Sequence, residues 1–181
     1  MGTQSKPPKE SQVKLSNILN NDVLICFGKA LFQLMNNDSN LLVRRVKEEA
    51  INHRLAVYLE NIIKSNNDNS HISVDVEYNK NYDKRKEITY PDGTKVYFRP
   101  DILVHQRGDN YNNKLAIECK IDYMDKKTIE KLKGMKREPY FYDNSIGIVY
   151  RPQIPNVFLY IASDTAITKH TVPKSEFKLY E

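Results

Sequence analysis

The chain has 181 residues, 40% of them hydrophobic and 28% charged, so it can bury one core and is too apolar to be a disordered tail. Its 28 Lys and Arg against 23 Asp and Glu leave a formal net charge of +5, which is compatible with a phosphate-rich partner but too mild to demand one. The two cysteines, Cys26 and Cys119, lie far apart in apolar runs, which argues against a disulfide framework or a zinc site and favours buried free thiols in a reducing compartment.

The opening MGTQSKPPKESQ has no apolar centre, so no signal peptide is expected and residues 1–12 read as a loose tail. No run is apolar for long enough to span a membrane, so a cytoplasmic protein without a membrane partner is expected. Residues 13–36 read as one or two short helices broken at Asn20-Asn21-Asp22, with a loop at 36–40. The longest helical pattern covers 41–64, where Ile51, Leu55, Tyr58, Leu59 and Ile62 recur at three- and four-residue steps. HISVDVEYN at 71–79 alternates like a half-buried strand, and polar 80–95 carries a Pro-Asp-Gly turn. A second strand is expected at 96–105, a turn at 106–113 and a third strand at 114–121. Residues 125–138 form a charged helix with Ile129 and Leu132 inward. Two more strands follow at 144–151 and 156–163, and the polar C-terminal stretch is unassigned. The expected fold is α/β: one domain over 13–181, with a helical extension at 13–40 and a core at 41–162 built on a central mixed sheet flanked by helices.

The chemistry concentrates on the third strand. Side chains alternate across a strand, so Leu115, Ile117, Cys119 and Ile121 share one wholly apolar face, and Ala116, Glu118 and Lys120 share the other. Charges on so apolar a strand are costly unless paired, ligated or facing a cleft. Asp101 stands at the start of the apolar run Ile102-Leu103-Val104, behind Pro100, which suits a strand entrance. A hairpin through 106–113 would bring Asp101 beside Glu118 and Lys120. Two carboxylates can hold a hard divalent cation that polarises a phosphate and acidifies a bound water, and an amine can position that water or stabilise developing charge. The plainer alternative is that Glu118 and Lys120 form an ordinary ion pair on an exposed sheet face.

Pro100-Asp101 followed by Glu118-Cys119-Lys120, in this order of elements, resembles the PD-(D/E)XK, or restriction-endonuclease-like, nuclease superfamily over about residues 41–162. The resemblance implies a restriction-endonuclease-like core in α-β-β-β-α-β order and a metal-dependent nuclease that hydrolyses phosphodiester bonds, with DNA favoured over RNA. It implies magnesium, with manganese as a substitute, held by Asp101 and Glu118, with Lys120 completing the catalytic set. Such nucleases often add a glutamate from the first core helix. Helical phase favours Glu48, on the face of Ile51, Leu55, Leu59 and Ile62, as catalytic residue and metal ligand. Glu49 falls with Asn52, His53 and Ala56 on a more polar side, and Glu77, beside Asp75 by alternation, is expected to face solvent. One exonuclease branch is disfavoured, because its Gln-x-x-x-Tyr motif has no counterpart between Lys120 and Gln153.

Lys126, Lys127, Lys131, Lys133, Lys136 and Arg137, together with Lys84-Arg85-Lys86 and His53-Arg54, could contact phosphates, although a solvated face is the simpler reading for most of them. Tyr140, Tyr142 and Tyr150 read as core rather than as base-stacking platforms. No histidine spacing suggests a metal site, and no motif supplies sequence-specific readout. The alternative function is a non-catalytic nucleic-acid-binding or assembly module on the same fold. The oligomeric state stays open, a homodimer included.

Overall fold

A computed structural model describes residues 14–65, 71–90 and 92–181, together with the backbone of Lys9–Ser11. Of the expected loose tail, residues 1–8 and 12 lie outside the described residues, whereas Lys9–Ser11 (β1) pairs in parallel with a strand near the C-terminus.

One or two short helices were expected at 13–36, and two form: Leu15–Ile18 (α1) and Asp22–Asn37 (α2), the second of 16 residues. The break has a local cause. Asn21 takes an extended backbone, and its side-chain oxygen accepts the Leu24 N–H at 3.1 Å, a standard N-cap. Leu24, Phe27, Leu31 and Leu34 then bury one face of α2.

The long helix expected over 41–64 is in fact two. Ser39–Val43 (α3) takes in part of the expected 36–40 loop, and Glu48–Ser65 (α4) begins only at Glu48. Arg45 separates them with a left-handed φ of 52°. The Val46 N–H returns to the Leu41 carbonyl and the Arg45 N–H to that of Leu42, the paired bonds of a Schellman ending. Along α4, Ile51, Leu55, Leu59 and Ile63 are buried, and so are Asn52 and Ala56, so the inward face is wider than the sequence suggested.

The strands are Ser73–Val76 (β2), two small ribbons, Ile102–His105 (β7), Asn113–Lys120 (β8), Asn144–Val149 (β9), Asn156–Ala162 (β10) and Ile167–Pro173 (β11). They make one mixed sheet in the order β1-β11-β10-β9-β8-β7-β2. β2, β7 and β8 form an antiparallel meander. Lys126–Met135 (α5) then carries the chain over so that β9 runs parallel to β8, as a parallel connection requires. The architecture is therefore α/β, a mixed sheet flanked by helices. β11, unassigned from its polar sequence, joins it antiparallel to β10, and Lys174–Tyr180 closes the chain as a 3-10 helix.

The expected strand at 96–105 divides. Lys95–Tyr97 (β6) leaves the sheet to pair with Glu87–Thr89 (β5), and Lys80–Asn81 (β3) pairs with Lys84–Arg85 (β4). The polar 80–95 segment is therefore a pair of ribbons rather than a plain loop.

The sheet is covered on both faces. α2 and α4 pack on Leu115, Ile117, Cys119, Ile146 and Ile148. On the other face Leu103 and Ala116 meet Met135, Tyr140 and Tyr142, and Leu132 meets Val149 and Tyr160. Within α5 the buried line is Thr128, Leu132 and Met135, while Ile129 is only half-buried. α5 crosses close over Gly147, where a Cβ would sit 2.6 Å from the Met124 methyl and 2.9 Å from Leu132 Cδ1, so both side-chain ends would have to shift.

Lys86 is the least expected core residue. Read as part of a basic surface run, it is 1% exposed, with Nζ 4.9 Å from the Tyr140 ring centroid and 5.6 Å from that of Tyr78. Its backbone closes the root of the β5–β6 ribbon, accepting the Phe98 N–H at 3.1 Å, and this directs the side chain inward. Both cysteines are buried and neither forms a disulfide, as expected. Among the described residues no helix is long and apolar enough to cross a membrane.

Candidate active site

The expected hairpin forms and sets the geometry. Ile102 faces Ile117 and Leu103 faces Ala116, so one further step along this register sets Asp101 against Glu118. Asp101 lies just outside β7. Its carbonyl accepts the Glu77 N–H at 3.1 Å, and its side-chain Oδ2 accepts the Cys119 N–H at 2.7 Å. The Asp101 backbone is thus tied to the end of β2, and its carboxylate to β8.

Glu118 follows the expected alternation. Ile117 and Cys119 enter the core under α2 and α4, so Glu118 turns toward α5. It is 3% exposed, and its partner across to β9 is Gly147, over which Met124 and Leu132 pack. Lys131 Nζ of α5 reaches Glu118 Oε2 at 3.4 Å, while Oε1 is buried with no hydrogen-bond partner among the described residues. The plain alternative of an exposed Glu118–Lys120 pair is therefore not what forms.

Lys120 is bound elsewhere. Its Nζ donates to Glu48 Oε2 at 2.9 Å, and Glu48 Oε1 accepts the Ile121 N–H at 3.0 Å. Glu48 is the first residue of α4, where the positive end of the helix dipole favours an acid, and from there it clamps the end of β8. Helical phase chose correctly between the neighbours, because Glu49 is exposed.

Glu77 departs from its expected place. A left-handed φ of 57° breaks the alternation of β2 and turns its carboxylate to Arg99, whose Nε lies 2.8 Å away. It lines a cleft of about 410 Å³ with Asp101, Arg99 and Lys131. Asp75 is engaged separately, with His105 Nε2 at 2.9 Å and Arg107 Nε at 2.8 Å. A second cleft, of about 260 Å³, is lined by Glu48, Lys120, Asp122 and Tyr123.

The electrostatics follow from burial. Burial and the nearby charge of Asp101 push the Glu118 carboxyl up to about 8, against the pull of Lys131 and Lys120. Burial also raises Asp101, although the Cys119 N–H and the two lysines oppose it. Burial alone would lower Lys120, but the Glu48 hydrogen bond together with the charges of Asp101, Glu48 and Glu118 outweighs it, so the amine is held protonated. The two carboxylates are thus short of positive charge. Among the described residues no three His, Cys, Asp or Glu side chains converge as a metal cage: Glu48 faces Lys120 rather than Asp101 and Glu118.

Most of the expected basic surface is already engaged. Arg54 pairs with Asp38 and stacks on Tyr58, Lys133 pairs with Glu130, and Lys136 caps the carbonyls of Tyr142 and Asp143. Sequence reasoning placed Lys131 among solvated lysines and missed its role at Glu118. The available signal was its position beside the buried line of Thr128, Leu132 and Met135. Gly147 was missed as well, and a glycine inside an otherwise apolar strand is the mark it leaves. In comparisons with known proteins, the chain matches no family model, no curated protein and no solved structure.

Proposed function

We propose that the chain is a metal-dependent phosphodiesterase acting on nucleic acid, with DNA favoured, and that it has the restriction-endonuclease-like fold its motif resembles. The observation that carries this reading is the pairing of half-buried Asp101 with fully buried Glu118 across adjacent strands, with Glu118 Oε1 unpartnered among the described residues and the Lys120 ammonium fixed beside them. Two proximal carboxylates that both resist ionisation fit a hard divalent cation, which would take up the charge that burial penalises. Asp101 and Glu118 would hold magnesium, or manganese in its place, with water completing the shell, and Glu48 acts through Lys120 rather than as a direct ligand. The metal, when bound, supplies Lewis-acid activation of the phosphate and a more acidic water.

The chain's own residues supply the rest. The Cys119 N–H fixes the Asp101 carboxylate in one orientation. Glu48 holds the Lys120 ammonium in place and charged, so Lys120 orients water and stabilises negative charge on the phosphate rather than removing a proton. Lys131 offers a second cation on the opposite side of Glu118.

Calorimetric titration with magnesium and manganese tests the reading, alongside cleavage of varied DNA and RNA substrates. Metal binding that Asp101→Asn removes, with cleavage that Lys120→Ala abolishes in a folded protein, is the expected result. Absence of metal binding at millimolar concentration, or of cleavage on every substrate, would overturn it in favour of a non-catalytic module.

A further inference from the structure

Few large apolar side chains are left exposed, and two of them stand at the clefts beside the acidic pair. Tyr97 is 65% exposed and lines the cleft that holds Asp101, Arg99 and Lys131. Tyr123 is 71% exposed and lines the cleft that holds Glu48 and Lys120. None of the other exposed large apolar residues, Val43, Tyr82, Tyr111, Phe141 and Leu179, lines either cleft. Neither tyrosine hydroxyl has a hydrogen bond shown among the described residues, and each ring is open to solvent on at least one side.

Tyr97 is presented stiffly. It stands on β6, whose partner strand buries Ile88, and the root of that ribbon is pinned where the Glu87 N–H donates to the Tyr140 hydroxyl at 2.8 Å. The Arg85 guanidinium lies 5.9 Å from the Tyr97 ring centroid. Lys84 and Arg85 have no carboxylate partner among the described residues. Arg85 and Tyr97 also line the next cleft, of about 570 Å³, together with Lys84 and Arg137. A path therefore leads from Asp101 past a ring and unpaired cations, on a side where the β5–β6 ribbon stands beside the site. A ring between cationic groups suits a base whose backbone lies along those cations, and stacking of this kind needs a base freed from its duplex partner.

We infer that the substrate is an unpaired strand laid across the acidic pair, with one base stacked on Tyr97 beneath Arg85 and a base on the other side of the central phosphate stacked on Tyr123. The inference rests on the phosphodiesterase reading for what is done to that phosphate, but the strand itself can be detected without catalysis.

The chain contains no tryptophan, so Tyr97→Trp and Tyr123→Trp each create a single fluorescent reporter at an exposed position. Each is titrated in a chelator, with no divalent metal, against an oligothymidine strand, an oligouridine strand and a blunt mixed-sequence DNA duplex. Saturable quenching by a single strand and none by the duplex is expected for both reporters. Tyr97→Ala and Tyr123→Ala should each weaken strand binding by about 10-fold, with Tyr97→Phe restoring it, since the ring rather than the hydroxyl does the stacking. Preference for oligothymidine over oligouridine that persists when oligodeoxyuridine replaces oligothymidine supports DNA as the strand, and the reverse supports RNA. Quenching by the duplex equal to that by the strands, no quenching at either position, or alanine variants that bind as tightly as the unaltered chain would each overturn the inference. Metal-dependent cleavage of duplex without quenching would sink the inference and leave the phosphodiesterase reading standing. Quenching without metal-dependent cleavage would do the opposite.

Discussion

Replacing Lys86 with methionine should stabilise the protein, although it deletes a charge flanked by two aromatic rings. Burial pushes the Lys86 amine down to about 8, from an ordinary value of 10.5. That shift means that holding the amine charged in the folded state at neutral pH costs about 3 kcal/mol relative to the unfolded chain. Contacts with the Tyr78 and Tyr140 faces return about 1–2 kcal/mol of this, so Lys86→Met should gain on the order of 1–2 kcal/mol near pH 7. For a chain of this size that is a rise of roughly 2–8 °C in melting temperature. The sign with pH is the sharper test. The folded amine loses its proton near 8 and the unfolded one above 10, so the unfolded state binds more protons between those limits. Stability of the unaltered chain must therefore rise with pH across that window. In urea melts from about pH 7 to pH 10, the advantage of the methionine variant should shrink steadily. A methionine variant that is less stable at pH 7, or an advantage that stays constant with pH, would refute the reasoning, because Lys86 would then be solvated or partnered.

Glu48→Gln should lower cleavage at least 10-fold while costing only about 1 kcal/mol of stability, since both members of the pair are partly exposed; single-turnover kinetics and urea melts separate the two effects. Glu118→Gln should flatten the stability profile between about pH 4.5 and pH 8. Its folded carboxyl titrates at about 8, above its unfolded value of 4.5, so its contribution is complete below the unfolded value and is lost as pH rises through the folded one. The glutamine variant should therefore gain steadily on the parent in melting temperature as pH rises from about 4.5 to about 8, while losing metal-dependent cleavage.

The sheet was legible wherever a strand had one clear partner. Alternation along residues 114–121 separated Glu118 and Lys120 from the core face, and the turn read at 106–113 gave the hairpin. Helical phase gave Glu48 over Glu49, because α4 really is amphipathic. Two of the misses share a physical origin in backbone turns that residue types do not announce. Arg45 and Glu77 both adopt a left-handed backbone that glycine would have signalled and they do not. The first divides a continuous apolar pattern into two helices, and the second turns an acid out of its alternation. The ribbon at β5–β6 was hidden because Phe98-Arg99-Pro100 continues a strand-like sequence while the pairing changes from one sheet to another. Lys86 was unreadable because its burial depends on Tyr78 and Tyr140, which are remote in sequence or on another element. β11 was obscured by half-exposed polar positions.

The Glu48 clamp ties the start of α4 to the end of β8, 72 residues away in the chain, and Lys131 arrives later still. During synthesis, then, Glu48 emerges long before the strand it orders, and Glu118 leaves the ribosome before the helix that supplies its cation. A nascent chain that has not yet extended through α5 cannot hold the charged centre together. Any activity at this centre belongs to the finished domain, and truncation ahead of Lys131 would disarm it.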